Sequence, residues 1–251
     1  METKDLISIS LSSLAFLLSL AATIISLVRS SHERKRAIKK EITDTLGKIV
    51  STSLDGVKLQ RETADKDPLY FQNVSGILNQ QNAFLLKQVT YLTDQIPTLV
   101  NTIEYNTIAT ATAGAGDLMS AEKYYRKAIE VAPNNYYRSL AMRSYAAFLF
   151  PQRRFEEGRD YFKKSLSLLS VTDAMARYTN GFTYQMWAWN EMNNAGSPQL
   201  ADKLFERAAS EFNGIDNEAV RRTALSGLQA VRAGQSVPHP APADQRIAMR
   251  A

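Results

Sequence analysis

The chain has no cysteine and only two histidines. The first absence excludes disulfides, thiolate nucleophiles and cysteine-ligated zinc or iron–sulfur sites, and it fits a reducing compartment. The second leaves little for a histidine metal or acid–base site. His32 sits in a charged stretch and His239 in "SVPHPAPADQ", both of which read as exposed loop or linker. There is no phosphate-loop pattern, no HExxH and no G-x-S-x-G, and "GAG" at 114–116 is too short for a dinucleotide fingerprint and reads as a turn. Glu122, Glu130, Glu156 and Glu157 lie on lysine-bearing helix surfaces and read as solvated. Tyr184, Trp187 and Trp189 could form a ligand-binding aromatic cluster, but core packing explains them more simply. The expectation is a protein that is not an enzyme and that holds no cofactor and no metal.

Strand patterns are missing as well. After residue 29 no alternating β-branched segment is bounded by hairpin turns, whereas apolar residues at three and four spacing are frequent, so the expected class is all-α. The 251 residues are 45% hydrophobic and 22% charged, enough to bury a core. The net charge of +5 raises the question of nucleic acid. Its location answers it, because "RSSHERKRAIKK" at 29–40 carries Arg29, Arg34, Lys35, Arg36, Lys39 and Lys40 against Glu33 and accounts for the whole excess. A nucleic-acid-binding domain carries its basic patch on the folded face. A single block directly after an apolar segment points to lipid headgroups instead, or to a topology signal alone.

That apolar segment, Leu6 to Val28, has no charged residue, and as a helix it would span a bilayer core of about 30 Å. The expectation is an N-terminal transmembrane anchor over 1–28, with a cleaved signal peptide as the competing reading. The basic block would then hold the remainder on the cytoplasmic side of a bacterial inner membrane, as a single-pass protein. Within the run Ser8, Ser12, Ala15, Ser19, Ala22 and Ser26 form one stripe of small residues, either a helix–helix interface or serines bonded to their own backbone.

Residues 29–67 read as a basic juxtamembrane helical segment with Ile42, Leu46, Ile49, Val50 and Val57 on one face. Gly47 and Gly56 weaken it, and "QRETADKDP" breaks it. Residues 68–101 read as a long amphipathic helix. Val74, Ile77, Leu78, Leu85, Val89, Leu92 and Ile96 lie close to a coiled-coil heptad, able to pack on the chain's own domain or pair with a second copy. Residues 233–251, with three prolines, read as a disordered tail.

Between these lies a repeat. "AEKYYRKAIEVAP" places Ala121, Tyr125, Ala128 and Pro133 in a small, aromatic, small, proline order. This resembles the second helix of a tetratricopeptide (TPR) repeat, whose small residues let two antiparallel helices pack closely. Tyr105, Ile108 and Ala109 fall where that family has its first-helix packing residues, Thr112 departs from the pattern, and Gly114 and Gly116 supply the turn. A second copy carries Gly158, Phe162 and Ser165, with Met142, Tyr145, Ala146 and Leu149 on its first helix. It begins 37 residues after the first, against about 34 in the family. A third copy carries Ala201, Phe205 and Ala208; in its first helix Trp189 stands where a small residue is expected. The resemblance covers 102–213, and "NEAVRRTALSGLQAVRAG" reads as a cap completing a repeat domain over 102–232.

The resemblance implies a groove, lined by the first helix of each repeat, that binds peptides or partner proteins. Its outward positions here include Asn106, Thr110, Arg143, Ala147, Met186 and Asn190. Asn106, Arg143 and Asn190 are of the type that holds a peptide carboxylate in some members. The expected function is a membrane-anchored TPR-like adaptor or scaffold at the cytoplasmic face. The alternatives are an envelope-side TPR protein of a periplasmic complex and an oligomerising structural subunit. No nucleic-acid partner is expected.

Overall fold

The computed structural model describes residues 3–64, 66–170 and 174–234, with the helical backbone alone for 3–25 and 27. Among the described residues the chain is all-helical, without a strand. It divides into two compact units, Met1–Val100 and Asn101–Ala251.

The first unit is a helical hairpin. Helix α1 spans Thr3–Thr63 without interruption, so neither Gly47 nor Gly56 breaks it. A glycine inside a helix costs about 1 kcal/mol, too little to end one that neighbours support. The polar stretch does end it, and α2 (Pro68–Gln95) starts with proline in its first turn and with the Asp67 carboxylate accepting from the Tyr70 N–H at 3.0 Å. The two helices run antiparallel, with Gln88 Nε2 donating to Glu41 Oε1 at 2.8 Å. Ile42, Leu46 and Ile49 of α1 and Leu85, Val89 and Leu92 of α2 are buried, as are Ile96 and Val100. Lys39 Nζ donates to the Leu99 carbonyl at 2.8 Å, beside the 3₁₀ turn Pro97–Leu99. Val50, Val57 and Ile77, expected on the packed faces, are exposed instead.

The expected membrane anchor is corrected here. Among the described residues no helix is long and apolar enough to cross a membrane. The transmembrane segment, the single-pass inner-membrane placement and the cytoplasmic topology derived from it are therefore set aside. Instead of a separate apolar span followed by a charged segment, the backbone forms one helix running on into Arg29, Arg34, Lys35 and Arg36, all exposed. Of the supposed interface stripe, Ser26 is exposed; the side chains of Ser8, Ser12, Ala15, Ser19 and Ala22 lie outside the described residues. So do 235–251, most of the expected tail.

The second unit is a helical-repeat-like array of three hairpins. They are α3 (Thr102–Gly114) with α4 (Leu118–Glu130), α5 (Asn135–Leu149) with α6 (Phe155–Ser167), and α7 (Ala174–Asn190) with α8 (Pro198–Asn213). A last helix, α9 (Glu218–Arg232), packs on α8 and α7. Short polar residues start the helices: Asn101, Asp117, Asn134 and Asn217 each accept an N–H three residues on, and Asn101 forms a reciprocal box with Glu104. Gly116, at φ +86°, makes the turn between α3 and α4 in a backbone region that side chains disfavour.

The small and aromatic positions face inward in every hairpin. Ala121, Tyr125 and Ala128, Gly158, Phe162 and Ser165, and Ala201, Phe205 and Ala208 are all buried. A methyl group on Gly158 would come within 2.7 Å of the Phe150 ring and 3.2 Å of the Ala146 carbonyl, so the small residue is what lets α6 approach α5. In the third hairpin the buried small residue is Ala188, while Trp189 is exposed. A π-helical turn, Glu191–Ala195, lengthens the end of α7 there.

Candidate protein-binding face

The first helices α3, α5 and α7 neighbour one another in sequence order, and α5 touches both of the others. Among the described residues, buried polar atoms without a hydrogen-bond partner lie on α2 and α8 as well as on each helix of this row, here Asn106 Oδ1 on α3, Arg143 Nε on α5, and Asn180 Oδ1 and Gln185 Oε1 on α7. Buried polar groups in folded proteins are almost always paired, so such a series is a candidate contact surface.

Arg143 stands out in it. The side chain is half-buried, and no carboxylate among the described residues pairs with it. Burial pulls its guanidinium down to about 10, while the neighbouring Tyr136 and Tyr178 phenols work in the opposite sense. Burial in turn raises the Tyr136 phenol. The group remains a cation at neutral pH, held at the α5–α7 seam without a carboxylate partner among the described residues. Tyr136 stacks edge-on against Tyr137 at 5.4 Å and Tyr178 against Phe182 at 4.8 Å.

The other expected groove residues are placed differently. Asn106 bridges two first helices, its Nδ2 donating to Ser144 Oγ at 3.1 Å. Thr110 is exposed, but its hydroxyl bonds to the Asn106 carbonyl and meets the Tyr125 hydroxyl at 3.1 Å, tying α3 to α4. Ala147 and Met186 are partly buried against the core of the last two hairpins. Asn190 is buried, with Nδ2 on the Met186 carbonyl at 2.9 Å and Oδ1 accepting from Asn194 at 3.0 Å, so it offers nothing outward. Of the basic residues proposed for lipid, Arg29 pairs with Glu33 at 3.0 Å and Lys39 bonds to Leu99, whereas Arg34, Lys35, Arg36 and Lys40 are exposed. Trp187 packs parallel to Phe162, with centroids 5.6 Å apart, as a core residue.

Two ion pairs escaped the reading of the sequence. Glu122 on α4 accepts from Arg154 at 2.7 and 3.1 Å, from Arg126 at 2.8 Å and from the Tyr145 hydroxyl at 2.6 Å. The Arg154 hydrogen bond is the main cause holding its carboxyl at about 2, far below the usual range and against the burial that opposes it. Burial and then this bond to Glu122 push the Tyr145 phenol well up. Arg159 on α6 makes a two-pronged pair with Glu191, 2.7 Å on each side, and Trp187 Nε1 donates to the same carboxylate at 2.8 Å. Glu191 is fully buried. Both pairs join residues 32 apart. Offset by the 37-residue repeat, Glu122 corresponds to Arg159 and Arg154 to Glu191, so the second copy carries the pair with its charges exchanged. That offset was the available signal, and it was invisible to a search for like residues at like positions.

No protein family, no curated protein and no solved structure matches this chain.

Proposed function

We propose that this chain is a tetratricopeptide-like adaptor that binds a protein segment along the row of first helices, with Arg143 as its electrostatic anchor. The helical-repeat architecture supports the reading, since stacked hairpins present one helix of each unit to a shared surface. The small, aromatic, small residues of three successive second helices support the finer family reading. Arg143 carries it. A half-buried guanidinium with no carboxylate among the described residues is costly in isolation and is stabilised when a ligand supplies the charge, in bonds roughly twice as strong as neutral ones. The matching ligand is an acidic side chain or chain terminus of a partner protein. The Tyr136 and Tyr178 phenols lie close enough to interact with the Arg143 guanidinium and are of the residue type that such interfaces favour.

The test compares the full chain with Arg143→Glu as immobilised baits in lysate of the source cells, with bound proteins identified by mass spectrometry. Loss of a defined set of proteins by the variant, at an unchanged helical circular dichroism spectrum, is the expected result. Recovery of the same set would remove Arg143 from the site.

A further inference from the structure

We propose that the exposed face of α2 is an interface between two copies of this chain, paired through antiparallel α2 helices. The inference is independent of the adaptor reading and lies entirely within the first unit. Tyr70, Ile77, Phe84 and Tyr91 recur at seven-residue intervals and are 51, 63, 69 and 69% exposed. Seven residues bring an α-helix back to within about 20° of its starting direction, so the four side chains form one stripe about 31 Å long. It is not the face that packs on α1, which is carried by Leu85, Val89 and Leu92.

At about 200 Å² for each large side chain, the stripe leaves roughly 500 Å² of mostly apolar surface in water. That is at the upper end of what a monomer exposes in one patch. With Leu69, 68% exposed, and the polar flank, it approaches the roughly 800 Å² per partner of a standard interface. A 3.5-residue seam is the pattern that a second helix reads, and the same chain in a second copy supplies one of identical length.

Charge selects both the occupant and the direction. Across its 28 residues α2 has only two charged side chains, Lys87 and Asp94. The stripe is flanked mostly by the amides Asn73, Gln80 and Gln81 and by the small Gly76 and Ala83, which repel nothing and allow close approach. Parallel pairing in register would set Lys87 against Lys87 and Asp94 against Asp94. Antiparallel pairing centred between Gln80 and Gln81 takes Lys87 to Val74 and Asp94 to Asp67, which has Lys66 beside it, and it sets Tyr70 opposite Tyr91 and Ile77 opposite Phe84 of the second copy.

Because the chain lacks cysteine, single introduced cysteines report the geometry directly. The full chain should sediment as a dimer at micromolar concentration, and the double variant Ile77→Asp/Phe84→Asp as a monomer with unchanged helix content. Under mild oxidation Gln80→Cys should crosslink to itself, whereas Asn73→Cys should not. A mixture of Tyr70→Cys and Tyr91→Cys should give the mixed disulfide. A monomeric native chain would overturn the proposal and leave the stripe to a helix of another protein. A dimer that survives the double substitution, or an Asn73→Cys chain that crosslinks as readily as Gln80→Cys, would overturn it too. Should the double variant fail to fold, the crosslinking pattern decides alone.

Discussion

The pairs Glu122–Arg154 and Arg159–Glu191 occupy corresponding places in successive repeats, yet they differ in the order of their charges and in depth. Each joins the second helix of one hairpin to the chain just beyond the first helix of the next. The Glu122 side chain is 25% exposed and shares two arginines and a tyrosine, whereas Glu191 is fully enclosed and held by Arg159 and the Trp187 indole. A junction of this kind requires opposite signs at a fixed separation. It does not require a particular sign at either place, so the repeat conserves its geometry while its residues exchange. Depth then decides what the pair contributes. A buried pair is costly to break because the orphaned ion stays in a medium that cannot solvate it, while a rim pair can fall back on water. Arg143 marks a third case, a cation with tyrosines beside it but no carboxylate among the described residues.

The largest expected effect breaks the deep junction. Arg159→Met leaves Glu191 buried and unpaired and should cost about 3–5 kcal/mol, read as the loss of unfolding free energy in a urea titration. Arg159→Met/Glu191→Leu should recover most of that loss, since removing both charges removes the desolvation cost. A double variant no better than the single one would mean that Glu191 contributes through Trp187 instead.

Glu122→Gln should cost less, on the order of 1 kcal/mol at neutral pH once solvent screening at this rim site is allowed for. The sign with pH follows from a native value of about 2 against an ordinary 4.5. The native anion stabilises the fold above about pH 4.5, and the contribution is lost as pH falls towards 2 and the carboxyl protonates. Thermal melts of the two proteins should therefore differ at pH 7 and converge near pH 2. A constant difference across that window would assign the loss to packing.

The smallest effect has the opposite sign. Arg143→Met removes a half-buried unpaired charge and keeps the apolar stem, and it should leave stability unchanged or raise it by up to about 1 kcal/mol, a few degrees in melting temperature. A clear destabilisation would show that the guanidinium is already satisfied, and it would sever the contrast with the two pairs.

Legibility in the sequence followed the range of the interactions. The break before Pro68 and the nine inward residues of the second helices depend on neighbours within one or two turns, and periodicity reports those; the caps at Asn101, Asp117, Asn134 and Asn217 are equally local but were not read. Arg143 was legible as an outward first-helix cation, but which groups of α7 lie beside it was not. Asn190 was placed outward, but it is buried and its amide is used by Met186 and Asn194. Ile77 was placed on one face with Leu85, Val89 and Leu92, but only those three are buried, because the spacing alone does not show how wide a strip α1 covers.

The sequence by itself determined the helical class, the caps, the turns and the period of the repeat, because each is set by local backbone preference and by spacing along one helix. Only the tertiary structure decided which charges meet, which apolar stripe stays in water and which polar atoms are left without partners. Those depend on residues tens of positions apart being brought within a few ångströms, as when Arg159 closes on Glu191 from 32 residues away.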